Sequence, residues 1–388
     1  MSDSRNGIII NHLPAPTWNR LGVNRTFVDF DQLPEVDAEA AFSISGGNQV
    51  NIETKATHEA AAWADSFASG IRRENVIAGK RAIYQEQAFA TGLGGNYTEF
   101  IDNLTSATDI YTVAEGECLS QPVILSWNFG TGAKAAAQQI IHAKKGSKST
   151  FLFVCESDKG AAGYATFETK VILEEGAAVN VIKVNLLGEN FVLLDDTAAA
   201  LDKYSSFGFT QMELGGAKVY TGCHADQYGD NSNFEVNTGY MADKDHIIDI
   251  NYVTTQRGLN TGSKIYVKGS LKDNAYKIFR GTIDFRQGAK GSTGDEQEDV
   301  LILDPNVVNK TVPVILSEEE QVEGRHGATI GNLAQEMLFY LGTRGIDKES
   351  AEMLTTRGRL LSIAHTIPDE ATVSKISTFI REAFEVNE

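Results

Sequence analysis

The sequence predicts a mainly β protein between two helical ends, either a β-solenoid or a large sandwich, on three observations. Between about 108 and 310 there are eight short runs of β-branched and aromatic residues. Glycine is abundant at 36 residues while proline is sparse at 7, which suits many tight turns and leaves backbone donors free for long ladders. A length of 388 residues exceeds what one compact core usually fills, since such cores stop growing near ~250–300 residues. Apolar residues at 42% and charged residues at 22% match a globular chain that can bury a core.

The elements follow in order. Thr57 to Ala90 is rich in Ala, Glu and Arg, so helical propensity prevails, with Gly70 and Gly79 expected to break it. The glycine cluster at 90–100 marks a loop, which gives an N-terminal helical region over 1–105. Strands are expected at Val123–Trp127, Phe151–Cys155, Phe167–Leu173, Ala178–Val184, Phe207–Leu214, Ile247–Val253, Lys264–Lys268 and Lys277–Phe285, by composition and length. Turns recur at Gly176-Ala177, Gly216-Ala217 and Gly288-Ala289, with steps of 40 and 72 residues that amount to a degenerate repeat at most. The β core is thereby bounded at 106–310. In the C-terminal helical domain, 311–388, Leu333, Met337, Tyr340 and Leu341 keep helical spacing. Gly345 then supplies a left-handed stop with Ile346 set against Leu341, and Asp347 caps the next helix. Val373, Ile376, Ile380 and Phe384 form the last apolar stripe, entered at Pro368-Asp369-Glu370.

Several function classes are disfavoured. With 34 Lys and Arg against 52 Asp and Glu, the net charge is −18, which repels phosphate backbones and acidic headgroups; neither nucleic acid nor membrane is an expected partner. No run reaches the ~18 apolar residues of a membrane helix, and the first residues hold only a short apolar triplet, so the expected location is cytoplasmic. Three scattered cysteines, Cys118, Cys155 and Cys223, contain no CxxC pair and read as reduced thiols.

Motifs with a chemical reading are few. Gly130-Thr131-Gly132-Ala133-Lys134-Ala135, with Glu156 beyond, imitates a dinucleotide fingerprint. The strands that follow cannot build a doubly wound sheet. Gly146-Ser147-Lys148-Ser149-Thr150 has the wrong offsets for a P-loop and reads as a turn between strands. Cys223-His224-Ala225-Asp226 reads as a polar turn with an incidental cysteine, a redox or sulfur-handling thiol being the alternative. Asp243, Asp245, His246 and Asp249 read as surface acids. His12, His58, His142 and His365 have no spaced partners, whereas His326 stands in a loop between Gly324 and Gly327, where the backbone can approach a ligand closely.

That segment carries a resemblance. Phe279-Arg280-Gly281-Thr282-Ile283-Asp284-Phe285, Gln287-Gly288-Ala289 and Val300-Leu301-Ile302-Leu303 lead to His326-Gly327-Ala328-Thr329-Ile330-Gly331 and Phe339-Tyr340-Leu341-Gly342-Thr343-Arg344-Gly345-Ile346. Together these resemble the SufB/SufD proteins of iron-sulfur cluster assembly, most closely over 260–360. The resemblance implies a right-handed parallel β-helix flanked by helical regions. It implies a non-catalytic scaffold subunit: the SufB and SufD β-helices pair, each C-terminal helical region docks a SufC ATPase, and a nascent cluster forms at the interface.

No cofactor is then expected to be held stably by the chain alone, only a transient cluster or iron shared with a partner. The family's sulfur-bearing cysteine of SufB has no counterpart here, since all three cysteines lie at or before Cys223. The SufD histidine matches His326, so the SufD type is favoured. The cysteine that many members place two residues before that histidine is Gly324 here. Arg325 is expected to favour the neutral imidazole of His326. Phe339, Tyr340 and Arg344 are expected at the SufC contact, the alternative being two core aromatics and a helix-terminal cation. Other readings are a SufB-like paralogue, a SufD homodimer, or a polysaccharide lyase using the Asp243–Asp249 acids.

Overall fold

The structure, a computed structural model, describes residues 7–17, 19–30, 36, 40–46, 50–79 and 89–384. A hairpin of β1 (Gly7–Ile10) and β2 (Thr26–Asp29) comes first. Two nine-stranded sheets follow. One contains β4 (Asn51–Ala56), β5 (Ala107–Val113), β7 (Lys134–Ala143), β9 (Ala162–Leu173), β11 (Asn190–Leu201), β13 (Lys218–Gln227), β15 (Ile247–Gln256), β17 (Tyr276–Phe285) and β19 (Val308–Ser317). The other contains β3 (Ala40–Ser45), β6 (Val123–Phe129), β8 (Lys148–Ser157), β10 (Ala178–Leu186), β12 (Ser206–Glu213), β14 (Asn233–Ala242), β16 (Gly262–Leu271), β18 (Thr293–Ile302) and β20 (Glu323–Gly331). From β5 onward successive strands alternate between the sheets, and all their pairings are parallel. This is a parallel β-solenoid of about 8 turns; β3 and β4 close its first end antiparallel.

Each turn consumes nearly the same length of chain. Lys218 pairs with Ile247 and Ile247 with Tyr276, a step of 29 residues. One corner repeats a left-handed residue in every coil, from Gly116, Gly146 and Gly176 through Tyr204, Asn231 and Asn260 to Gly291. Each donates its N–H to a carbonyl of the next coil, as Gly146 does to Glu175 and Asn231 to Leu259. Glycine takes this conformation freely and asparagine at small cost, so Gly and Asn interchange along the corner. Gly176 belongs to it and Gly216 to another corner, which is why the glycine-alanine dipeptides alone gave no constant step.

All eight expected strands lie within or against observed ones, which run longer. Among the missed strands are some poor in β-branched residues, such as Ala-rich β7 and acidic β18; there stacking of coils overrides intrinsic propensity. The segment after Gly130 and Gly132 is strand β7, not a helix, so no dinucleotide site exists there. Strands also continue beyond residue 310, through β19 and β20, because both extend the ladder by another coil. The N-terminal region is not purely helical, since it includes β1 to β4. Its helix α1 (Thr57–Gly79) passes through Gly70 unbroken, and the rest of the expected stretch, 80–88, lies outside the described residues.

Side chains facing the lumen form one apolar core, with Phe207 stacked on Phe234 and Tyr252 edge-on to Phe209 and Phe279. The outer faces are covered too, which explains the weak alternation of Val179 to Val184. Val179, Val181 and Lys183 point inward, while Ile182 and Val184 pack against α4 (Lys348–Ala364) and α5 (Glu370–Phe384) through Leu360, Ile376 and Ile380. On the opposite sheet, Ala60, Ala64 and Ala68 of α1 seat on Ile110, Ile140 and Ile172. There His142, far from partnerless, bonds Glu174 at 2.7 Å between Trp63 and Phe67. Helix α2 (Gly95–Leu104) anchors through the Tyr97 hydroxyl to the Phe167 carbonyl at 2.7 Å.

Two buried polar groupings interrupt the apolar packing. In the lumen, Lys183 meets Asp195 at 2.5 Å, and Asn185 donates to Glu213 at 2.8 Å. Burial pushes the Glu213 carboxyl up to about 8. On the outside, fully buried Arg280 pairs with Asp249 and donates to the Val23 carbonyl at 2.7 Å and to Thr26 at 3.0 Å. This clasp straps the N-terminal hairpin across the sheet, and it shows that Asp249 is no surface acid. Among the described residues no helix is long and apolar enough to cross a membrane.

Removing one partner of a buried ion pair strands the other, at a cost of about 3–5 kcal/mol. Arg280→Ala should therefore lower unfolding stability by that order in denaturant titration; a loss under 1 kcal/mol would mean that the clasp does not hold the hairpin. Glu213 keeps its proton in the folded chain over a range where the unfolded chain has lost it. Its contribution to stability therefore falls as pH rises from 4.5 toward about 8. Glu213→Gln should flatten that fall, by no more than ~1.4 kcal/mol per pH unit, measured as denaturant midpoints at pH 5 and pH 8. Parallel curves for the two proteins would refute it.

Candidate functional site

Every coil but the last is covered by the next one, so the final coil is chemically distinct. Among the described residues, β20 bonds only β18 and β19 bonds only β17. All of β20 is exposed and most of β19 is half-buried, where β17 is buried throughout after its first residue. The lumen at this end is open, and its last edges carry unpaired backbone groups.

His326 stands on this edge, in a strand and not in a loop. Its register partner is Glu296, and Gly324 pairs with Gly294. A Cβ at Gly324 would touch Ile315 and Phe285 of the opposite sheet. The face bearing Gly324 and His326 therefore looks into the lumen. Arg325 lies on the other face, where its guanidinium pairs with Glu323, so the expected arginine over the imidazole is turned away.

One coil below His326 is a buried polar layer. Glu296 and Glu298 point inward from β18, at 1% and 3% exposure. Glu298 is fully engaged: Lys277 from β17 forms an ion pair with Oε1, to which Tyr240 also donates at 3.5 Å, and Thr311 from β19 donates to Oε2 at 2.5 Å. Burial lowers the Lys277 pKa, opposed by the charge of Glu298. Glu296 is different, since its Oε2 is buried without a hydrogen-bond partner. Its carboxyl lies over Gly281, where an added Cβ would come within 2.4 Å of Cδ. Burial, reinforced by the neighbouring Glu298, pushes it up to about 8. Sequence reading missed this layer because TGDEQEDVLI looks like an exposed acidic segment; the signal was the 30-residue step from Glu296 to His326.

No cysteine reaches the open end. Cys223 sits on β13, three strand spacings before β19, or ~14 Å along the axis. It is a core residue of a strand and not part of a turn, and Cys155 is likewise buried; burial raises both thiols. His224 bonds Thr255 at 2.9 Å and lies 3.9 Å from Asp226, whose other oxygen is held by Arg257. Among the described residues no three His, Cys, Asp or Glu side chains converge as a metal site. The Asp243–Asp249 acids do not form one cluster, for Asp243 pairs with His246 and Asp249 with Arg280.

The other candidates lie on α3 (Gln335–Gly342) or just past it, and α3 buries no residue. Phe339 is 77% exposed and Tyr340 54%, so neither is a core aromatic. Arg344 stacks 4.6 Å above the Tyr340 ring. After α3, Ile346 donates to the Leu341 carbonyl at 3.1 Å beside left-handed Gly345, and Asp347 caps α4 through Ser350 at 2.7 Å. The stop and the cap thereby fix how α3 leads into α4. Helix α4 in turn is tied to the terminal coils, by Arg359 to Asp299 of β18 and by Thr356 to Ser270 of β16 at 3.0 Å.

Residues 128–359 match the family model described as SUF system FeS cluster assembly, SufBD core domain. The chain is 26% identical over 265 residues to the iron-sulfur cluster assembly protein SufD of Bacillus subtilis, covering 60% of this chain and 58% of that protein. It is 30% identical over 133 residues to a SufBD family protein of Staphylococcus aureus, covering 34% of this chain and 29% of that one. The aligned parts thus span little more than half of the longer-matched relative and under a third of the other.

Proposed function

The chain belongs to the SufBD family of iron-sulfur cluster assembly proteins, and from that premise we propose that it is a SufD-like scaffold subunit without catalytic activity of its own. It pairs through the open end of its solenoid with a SufB-type chain and offers His326 to the nascent cluster between them. The uncovered last coil carries this reading. A solenoid end with free strand edges and an open lumen is completed by another solenoid end, in the way each interior coil is completed by its neighbour.

The chemistry at the end sets what the partner must bring. Clusters are held mainly by thiolates, and this chain's buried thiols lie coils away, so sulfur comes from the other subunit while the imidazole nitrogen comes from His326. A second copy of this chain would close the ladder equally well but would bring no thiolate, which favours the mixed pair. Bound cluster is cargo shared across the interface and not a resident cofactor, and the site of action is the cytoplasm.

Docking of a SufC-type ATPase falls to α3, whose Phe339 and Tyr340 form, with Arg344 just past its end, an exposed aromatic-cation patch of the kind that anchors interfaces. A pull on α3 is passed to α4, and through Arg359–Asp299 to the strand directly beneath β20. Nucleotide-driven motion of the ATPase can thus open or close the cluster site.

In the complex assembled with SufB-type and SufC-type partners, iron and sulfide, His326→Ala should lower visible cluster absorption at least fivefold; unchanged yield would sink the ligand role. Tyr340→Ala and Arg344→Ala should each weaken capture of the ATPase about tenfold, the equivalent of ~1.4 kcal/mol. Retention at wild-type strength would return α3 to a purely structural part.

A further inference from the structure

We propose that Glu296 is a second ligand of a ferrous-iron seat whose first ligand is His326, an assignment that rests on His326 facing the cluster site.

Parallel in-register pairing places Glu296 and His326 on adjacent strands and on the same lumen-facing side, ~4.8 Å apart at the backbone. At that separation an imidazole and a carboxylate can share one ion once the Glu296 side chain turns from its place over Gly281 toward the edge. Of the two acids in the layer, Glu298 is satisfied by Lys277 and Thr311, while Glu296 retains Oε2 buried and unpartnered. A buried oxygen without a donor costs about 1–3 kcal/mol. The fold nonetheless keeps it in place, with glycine at 281 where any side chain would displace the carboxyl.

An imidazole nitrogen with a carboxylate oxygen is a donor pair suited to divalent iron. It is a poor pair for sulfide or for a nucleotide phosphate, which need positive partners. Two ligands make an incomplete site, in keeping with the lack of a three-residue cluster among the described residues. The remaining positions are left for water, and then for the sulfur and the ligands that the other subunit brings. The chain would thus seat ferrous iron at the edge of its own lumen before sulfur arrives.

The test uses the full chain under anaerobic conditions with Co(II) as a spectroscopic probe for Fe(II). Wild type should take up one equivalent with a visible ligand-field band that depends on nitrogen and oxygen donors. Glu296→Gln, which keeps shape and fold, and His326→Ala should each weaken uptake at least tenfold and change the band. Glu296→Asp should retain part of it, and Asp295→Asn, on the outer face of the same strand, should leave it unchanged. Absence of uptake by wild type, or an unaltered band and affinity in Glu296→Gln, overturns the proposal. The cluster assay separates the two readings. If His326→Ala lowers cluster yield while Glu296→Gln leaves both cobalt uptake and cluster yield untouched, the scaffold role stands and the carboxylate ligand falls. If His326→Ala keeps full cluster yield while Glu296→Gln still releases cobalt, the seat stands and the role of His326 in assembly falls.

Discussion

The in-register parallel backbone ladder is the constraint from which the rest of this molecule follows. A strand in a solenoid satisfies its N–H and C=O groups in the coils before and after it, so each coil must repeat the length and the corners of its neighbours. Left-handed residues from Gly116 to Gly291 therefore recur at one corner and hand their N–H groups forward coil by coil. The same ladder dictates side-chain neighbours: what lies beside an inward residue is whatever stands about 29 residues away, not what is near it in sequence. It also lets a long chain escape the size limit of a spherical core, because the core is a line.

A ladder has ends, and the two ends here are treated differently. β3 and β4 close the first one by reversing direction. Among the described residues the last has no such closure, and it gathers polar groups: His326 and Thr311 on the last coil, with Glu296, Glu298 and Lys277 one coil in. Charges in a lumen are costly unless paired. The interior layer of Lys183 with Asp195 obeys that rule, and so does Glu298. Glu296, with an oxygen left over, is the exception, and exceptions at an open end point to function.

The helices serve this end by different routes. α1 and α2 cover the outer face of one sheet, and the N-terminal hairpin is clasped to it by Arg280. α4 and α5 cover the other sheet, and α4 touches β18 directly through Arg359. Arg280 illustrates how a motif residue can be legible without its role being so. The FRGTIDF segment marks the family, yet its arginine does not face the lumen; it holds a segment more than 250 residues earlier in the chain.

Composition and local pattern by themselves determined the order helical, β, helical, the abundance of turns, the C-terminal stop at Gly345 and the cap at Asp347, because each depends on residues within a few positions of one another. The paired segments around His326 and Phe339 determined the family, since two motifs at fixed separation are specific where one is not. Only the tertiary structure decided which residues meet. That Cys223 is core, that Asp249 is clasped by Arg280, that β18 is a strand despite its acids, and that Glu296 lies under His326 are all products of the coil register. A step that drifts from 26 residues between Val192 and Lys218 to 32 between Tyr276 and Val308, with corners where glycine and asparagine interchange, leaves too faint a mark on a single sequence to be read before the coils are stacked.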